Sequence, residues 1–508
     1  MSQDSSADKG PDLAKGVRLA DFTNDRLTGH FGEDEVLLVR SGESVFAISP
    51  RCTHYQGPLA EGVVDDQGCI RCPWHHARFN LKTGEATQAP AFGSLSTWQV
   101  ERDGDIIRVT GKLAPESLPA KPSSTAPDRI VIIGGGGAGF AAAQMLVRRK
   151  FKGKITILSA DSDLPVDRPN LSKDYLAGAA KESWMPLRSA KFYEKAGIDL
   201  RLETEVISID PAANQVALKG GETLVYDRLL LATGAEPNRL SAPGAAEGQI
   251  HVLRSMADCR AIIAAAEKAK TALVIGASFI GLETAAALRK RGLAVHVVAP
   301  DKRPMERILG PEIGDFMRAL HEKHGVVFHL EDKVARFDGN RAILESGATV
   351  VSDLVIGGIG VKPRLALAEA AGLTINRGVV VNDRMQTSAP NIYAAGDIAR
   401  WPDAVSGMDI RVEHWVVATR QGQIAAQNML GADIPYDTAP FFWTQHYNVP
   451  VNYTGHAEGW DELEIDGDVM KRDCLIRYKK GGRVMAIASI FRDAANLQAE
   501  IRMEHAKA

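Results

Sequence analysis

The feature that most restricts the fold is a pattern that occurs twice. "RIVIIGGGGAGFAAAQMLV" starts at Arg129 and "TALVIGASFIGLETAAALRKRGLAVHVVAP" at Thr271. In each, a short β-branched run enters a small-residue turn and leaves as an alanine-rich stretch of helical composition. Strand, tight turn and helix in that order predict a doubly wound parallel α/β sheet, and two copies predict two dinucleotide-binding units. Gly134-x-Gly136-x-x-Gly139 lets backbone amides approach a pyrophosphate at a helix N-terminus. In Gly276-x-Ser278-x-x-Gly281 the middle residue is serine, small enough to keep that approach open. After the next strand, where an acid usually meets the ribose, the first unit has Ala160 followed by Asp161. The second has Ala299, with no carboxylate to repel a 2′-phosphate, and Lys302 and Arg303 either reach such a phosphate or are simply solvated. NADH and NADPH are both admitted.

A chain of 508 residues holds about three domains. Its net charge of −3, with 24% charged and 45% hydrophobic residues, gives no sign of a nucleic-acid-binding surface or a disordered tail. Five cysteines are too few for a disulfide scaffold. "MSQDSSADKG" has no apolar signal core, so a cytoplasmic protein is expected. The uncharged run Ile130–Val147 is long enough to span a bilayer, but its glycines break it where a strand turns into a helix.

Up to about residue 112 the text changes to short strands, "EVLLVR", "SVFAIS" and "DIIRVT", separated by "RSGES", "KTGE" and "RDGD". A small all-β domain is expected there. "LAPESLPAKPSSTAP" follows, a proline-rich linker with a reach of about 45 Å. Within the first domain, Cys52-x-His54 and Cys72-x2-His75 supply two thiolates and two imidazoles from two short loops. Structural zinc usually opens with two closely spaced cysteines. Here each loop mixes one Cys with one His, which suits a [2Fe–2S] cluster with thiolates on one iron and imidazoles on the other. Together with Gly57-Pro58-Leu59 and Pro73-Trp74, these loops resemble the Rieske ferredoxin family over roughly residues 13 to 112. Cys69 and His76 fall outside the motif and read as a packed thiol and a surface or hydrogen-bonding imidazole. High-potential relatives add a loop disulfide and hydroxyls aimed at sulfur. Ala77 and Phe79 stand at the hydroxyl positions here, so the potential is expected toward the low end, about −150 mV.

The larger part resembles two-dinucleotide flavoprotein reductases. "DRLLLATGAEP", with Gly234, and "NIYAAGDIARW", with Asp397, are similar to the second and third FAD signatures. "LPVDRPNLSKDYL" is similar to the segment that carries Arg168 toward the cofactor and Lys173 over the isoalloxazine. With "FIGLE", "MERILGPEIG", "EHWVVATRQG" and "FFWTQ", residues 129 to 508 resemble the ferredoxin and rubredoxin reductases, and more closely their apoptosis-inducing-factor-like branch. The whole chain resembles the Rieske-fused members of that branch.

That resemblance implies FAD, a Rieske-type [2Fe–2S] cluster and NADH or NADPH. It implies that Lys173 and Glu283 pair beside the flavin, that Trp415 lies near the pyrimidine, and that Phe442 and Trp443 close the site. The redox cysteines of the disulfide reductases and the single cysteine of the peroxide-reducing relatives are both absent from "RPNLSKDYL". The expected organisation is a Rieske domain at 1–112, a linker at 113–128, and an FAD-binding domain in two parts, 129–248 and 373–437. A nicotinamide-binding domain at 249–372 and an α+β domain at 438–508 complete it. The expected function is electron transfer from NAD(P)H through FAD to the tethered cluster, then to a ferredoxin, cytochrome or oxygenase. A redox-responsive switch with slow turnover is the alternative. Partners are a nicotinamide dinucleotide and a redox protein, with no nucleic acid and no membrane, in a monomer or homodimer.

Overall fold

The computed structural model describes residues 10–115 and 127–506. Most of the expected linker, 116–126, lies outside the described residues. The described chain divides into two units: 10–115 together with Asp493–His505, and 127–492.

The first unit is all-β apart from short turns and one helix. Its six-stranded antiparallel sheet runs, in spatial order, Val17–Arg18, Ile106–Lys112, Thr97–Asp103, Ser44–Ile48, Asp34–Ser41 and Arg26–Phe31. Strand Asp34–Ser41 shows how alternation builds it. Leu37 and Val39 face a core shared with Ile48, Leu59, Cys52 and Cys72, while Val36 and Leu38 face another with Leu13, Trp98 and Ile107. Successive side chains on a pleated strand point to opposite faces, so four consecutive apolar residues can serve two cores. A second sheet, Val63–Val64, Cys69–Arg71, Arg78–Asn80 and Ala86–Gln88, carries the second cysteine–histidine loop.

Helix Asp493–His505 packs with this first unit, whereas the sequence reading put it in the α+β domain at 438–508. The reason lies in two carboxylates. Glu500 and Glu504 are both buried, and burial of such charges is tolerated only when they are paired. Arg71 lies 2.8 Å from Glu504 and 3.5 Å from Glu500, and Nδ1 of His76 is 2.8 Å from Glu500.

The second unit contains two parallel five-stranded sheets. One runs Ile198–Arg201, Lys154–Leu158, Arg129–Ile133, Arg228–Leu231 and Ile392–Ala394; the other runs Ile250–His251, Leu354–Gly357, Thr271–Ile275, Ala294–Ala299 and Val326–Leu330. Helices Gly137–Arg148 and Phe279–Lys290 follow the small-residue turns. The first helix is buried from Gly137 to Leu146, because helix Trp415–Met429 covers it so closely that a Cβ at Gly422 would lie 2.2 Å from the carbonyl of Ala138. Interior packing therefore explains the uncharged run. Among the described residues no helix is long and apolar enough to cross a membrane. An antiparallel sheet ends the unit, in the order Phe441–His446, Val449–Gly455, Arg483–Ile490, Asp473–Lys480 and Glu462–Asp468. It shares a core with the second dinucleotide-binding unit, in which Leu282 and Phe316 meet Val451 and Tyr478.

Candidate functional site

The two metal loops repeat one backbone design. The amide of Cys52 donates to the carbonyl of Gly57 and the amide of Gln56 to the carbonyl of Cys52; the amide of Cys72 donates to Ala77 and that of His76 to Cys72. Gln56 and His76, each four residues after its cysteine, both adopt left-handed backbone, with φ of 61° and 59°. Such conformations are uncommon for residues with a Cβ and persist where the surroundings over-determine them. Gly57 lets the loops meet, since a Cβ there would lie 2.7 Å from Sγ of Cys72.

The four candidate ligands gather as two pairs. Cys52 and Cys72 share a hydrogen bond that, with burial, holds the Cys52 thiol well up. The same bond holds Cys72 down, helped by the amides of Trp74 and His75. The imidazoles face each other through Nδ1 at 3.2 Å, and burial lowers His54 to about 3, which keeps it neutral as a metal ligand requires. Thiols beside thiols and imidazoles beside imidazoles fit a two-iron cluster with unlike irons. Cys69 is a packed thiol. His76 is fully buried on Glu500, which excludes the surface half of its sequence reading.

In the second unit the dinucleotide turns are closed by contacts that only glycine permits. Gly134 has φ 112°, and a Cβ there would lie 2.2 Å from the carbonyl of Ala232; at Gly139 it would lie 2.0 Å from the carbonyl of Gly134. Gly276 and Gly281 repeat this, with Cβ approaches of 2.3 and 2.2 Å to the carbonyls of Gly358 and Gly276. Ser278 stands at the N-cap of Phe279–Lys290. A cleft of about 420 Å³ opens beside the first turn, lined by Gly135, Gly136, Ala160, Asp161 and Arg168. Nε of Arg168 is buried without a hydrogen-bond partner, and burial lowers its guanidinium to about 10. A half-buried cation over a glycine turn fits a pyrophosphate, so these residues suit a dinucleotide such as FAD. Asp397 accepts from Arg254 at 2.7 Å, and Gly234 (φ 68°) lies beside both.

Lys173 and Glu283 come together as the resemblance implied, Nζ to Oε2 at 2.8 Å. Ser172 donates to the same oxygen, and Thr444 donates to Oε1 at 2.6 Å. Lys173 Nζ also stands 5.9 Å from the ring centre of Trp443. Trp415 sits at the first turn, where a Cβ on Gly137 would lie 2.8 Å from its ring. Phe442 is a core residue packed edge-on to Phe279. Arg303 is occupied by Asp315 and Glu306 at 2.7 and 3.1 Å, and Arg307 by Asp301 at 3.0 Å, while Lys302 is exposed near the second unit's strand end.

Sequence reasoning missed Thr444, His446 and His321, which extend the Lys173–Glu283 pair into the protein, and also the Glu500–Arg71 contact. The one available signal was Glu500 and Glu504 at i, i+4 on one helix face.

Comparison with known proteins matches this geometry. Residues 128–422 match the family described as pyridine nucleotide-disulphide oxidoreductase, and residues 16–99 match the Rieske [2Fe-2S] domain. Apoptosis-inducing factor 3 of Homo sapiens is 31% identical over 478 residues, covering 90% of this chain and 78% of that protein. Rubredoxin-NAD(+) reductase of Pseudomonas putida is 37% identical over 341 residues, 66% of this chain and 89% of the relative. The reductase in a covalent putidaredoxin reductase–putidaredoxin complex superposes with a TM-score of 0.71 at 33% identity, covering 75% of this chain and 94% of that one. The chain therefore belongs to the pyridine nucleotide-disulphide oxidoreductase family, as an FAD-dependent NAD(P)H oxidoreductase that carries its own Rieske [2Fe–2S] domain.

Proposed function

We propose that Lys173 and Glu283 form the hydride-transfer site, at which a two-electron donor is converted into single electrons for the Rieske cluster and then for an external redox protein of the ferredoxin type. One observation carries this reading: a quartet of Cys52, His54, Cys72 and His75 shares a chain with two dinucleotide turns and a buried Lys–Glu pair. FAD, when bound, supplies the step from hydride to single electrons. Around it, Gly134, Gly136, Gly139 and Arg168 hold the pyrophosphate, Gly234 and Asp397 border the cofactor, and Gly276, Ser278 and Gly281 take the nicotinamide dinucleotide. Glu283 fixes the ammonium of Lys173 at the reacting face, and Trp443 shields it from water. Cys69, Cys259 and Cys474, the buried cysteines outside the ligand set, form no disulfide, which suits a reducing cytoplasm.

Two variants test the reading. Lys173→Met is expected to retain flavin and slow its reduction about a hundredfold, the scale of losing one positioned charge. Cys72→Ser is expected to lose iron and the cluster's visible bands while NAD(P)H still bleaches the flavin. Bleaching at the normal rate in Lys173→Met would reject the site. The likeness to apoptosis-inducing factor 3 supports a second reading, a redox-responsive switch, whose mark is slow reoxidation with a nicotinamide-dependent change in mass.

A further inference from the structure

The two oxygens of Glu283 have different company. Oε2 takes the bonds from Lys173 and Ser172, and Oε1 takes the hydroxyl of Thr444. Two residues further along the strand, on the same face, His446 places Nε2 2.9 Å from that hydroxyl. Its Nδ1 is 3.2 Å from Nε2 of His321, in the last turn of helix Glu306–Lys323. Glu283, Thr444, His446 and His321 are 4%, 1%, 0% and 0% exposed, so water does not interrupt the line. At its outer end Nδ1 of His321 is buried without a hydrogen-bond partner. The His321 ring meets Tyr447 at 5.2 Å, and Tyr447 stacks on exposed His324 at 3.5 Å.

The carbonyl of Leu282 also approaches the His446 ring, and one choice of tautomers gives the line a single polarity. With Glu283 as the carboxylate paired to Lys173, Thr444 donates to it, Nε2 of His446 donates to Thr444, and Nε2 of His321 donates to Nδ1 of His446. The free lone pair is then on Nδ1 of His321, at the end of the line away from Glu283. A structural network gains nothing from leaving that buried atom bare, since an unmet polar atom costs about 1–3 kcal/mol. A chain that must accept a proton needs it bare.

We propose that Glu283, Thr444, His446 and His321 form a proton relay through which Glu283 exchanges a proton with solvent as the charge beside it changes. A proton added to Nδ1 of His321 releases the Nε2 proton to Nδ1 of His446. His446 passes its Nε2 proton to Oγ1 of Thr444, whose own proton moves to Oε1 of Glu283. One proton enters, one carboxylate becomes a carboxylic acid, no electron moves, and the reverse hops return it. The demand comes from the reaction itself. NAD(P)H delivers a hydride, a one-electron iron–sulfur acceptor removes only electrons, and one proton per turnover is left for water. Both imidazoles are neutral, as such hops require: burial, with Lys173 nearby, holds His446 down to about 3, and burial with His446 and His324 holds His321 well below its usual range. The charged and titratable groups facing the line are Lys173 at Glu283, and His324, Tyr447 and Arg289 near its outer end.

The relay rests on the reading of Lys173 and Glu283 as the hydride-transfer site, and the two fail differently. Time-resolved infrared difference spectra of the holoprotein, reduced minus oxidised, are recorded in H₂O and D₂O, with flavin content per chain as the check on folding. The relay predicts a carboxylic-acid band that appears on reduction, shifts in D₂O and is lost in Glu283→Gln. The band forms at least about tenfold more slowly in Thr444→Val and His446→Phe, and Thr444→Ser restores it. No such band in the wild type, or equal rates in wild type and Thr444→Val, overturns the relay. An unchanged rate of flavin bleaching in Lys173→Met overturns the site reading instead.

Discussion

The two dinucleotide turns are nearly the same object in backbone and different objects in surroundings. In both, the first and last glycines approach backbone carbonyls at 2.0 to 2.3 Å from where a Cβ would sit. The first turn, however, lies under the half-buried guanidinium of Arg168 and against the ring of Trp415. Beside the second unit's strand end, Ala299 is buried and Arg303 is spent on Asp315 and Glu306. The glycines make a phosphate site possible, and side chains from distant segments decide how tightly it holds and what it prefers. A permanently bound cofactor calls for the first arrangement, an exchanging substrate for the second.

Gly139→Val should have the largest effect. Its Cβ meets the carbonyl of Gly134, and the protein is expected to be purified without flavin or to misfold, read as flavin absorbance per chain. Gly281→Val places the same clash in the second turn. There FAD is expected to stay, and reduction by either nicotinamide is expected to fall below detection in rapid mixing. If Gly281→Val loses flavin as readily as Gly139→Val, the two turns are not functionally separate.

Arg168→Met should have a smaller effect on the same site. Removing one charged partner of a phosphate costs about 1.5–3 kcal/mol, so FAD affinity should drop by about 10- to 100-fold with the fold intact. Titration of the apoprotein with FAD measures it. Smallest is Arg303→Ala. Because that guanidinium already has two carboxylate partners, the NADPH-to-NADH preference should change less than about threefold, on the scale of a surface pair. A tenfold change would mean that Arg303 leaves Asp315 to read the 2′-phosphate.

Local motifs were legible and long-range pairings were not. The glycine turns announce themselves because strand, turn and helix are contiguous. The cluster ligands do so because Cys52 and His75 lie within one short stretch. Thr444, His446 and His321 carry no local mark: each is an ordinary strand or helix residue until the fold places it in line with Glu283. The same limit hid the position of helix Asp493–His505. It follows strand Arg483–Ile490 almost directly, and only the buried Glu500, meeting Arg71 and His76 from the opposite end of the chain, assigns it to the first unit. His76 read as a surface or hydrogen-bonding imidazole because its partner is so far away in sequence.

Hydride taken in by the reductase unit is expected to leave as single electrons through the chain's own cluster. Anaerobic stopped-flow mixing with NADH and, separately, NADPH, following flavin absorbance and the iron–sulfur bands together, resolves the two steps. The prediction is flavin bleaching followed by rapid cluster reduction, independent of protein concentration, with Cys72→Ser showing only the first phase. A bleached flavin beside a cluster that stays oxidised would contradict it.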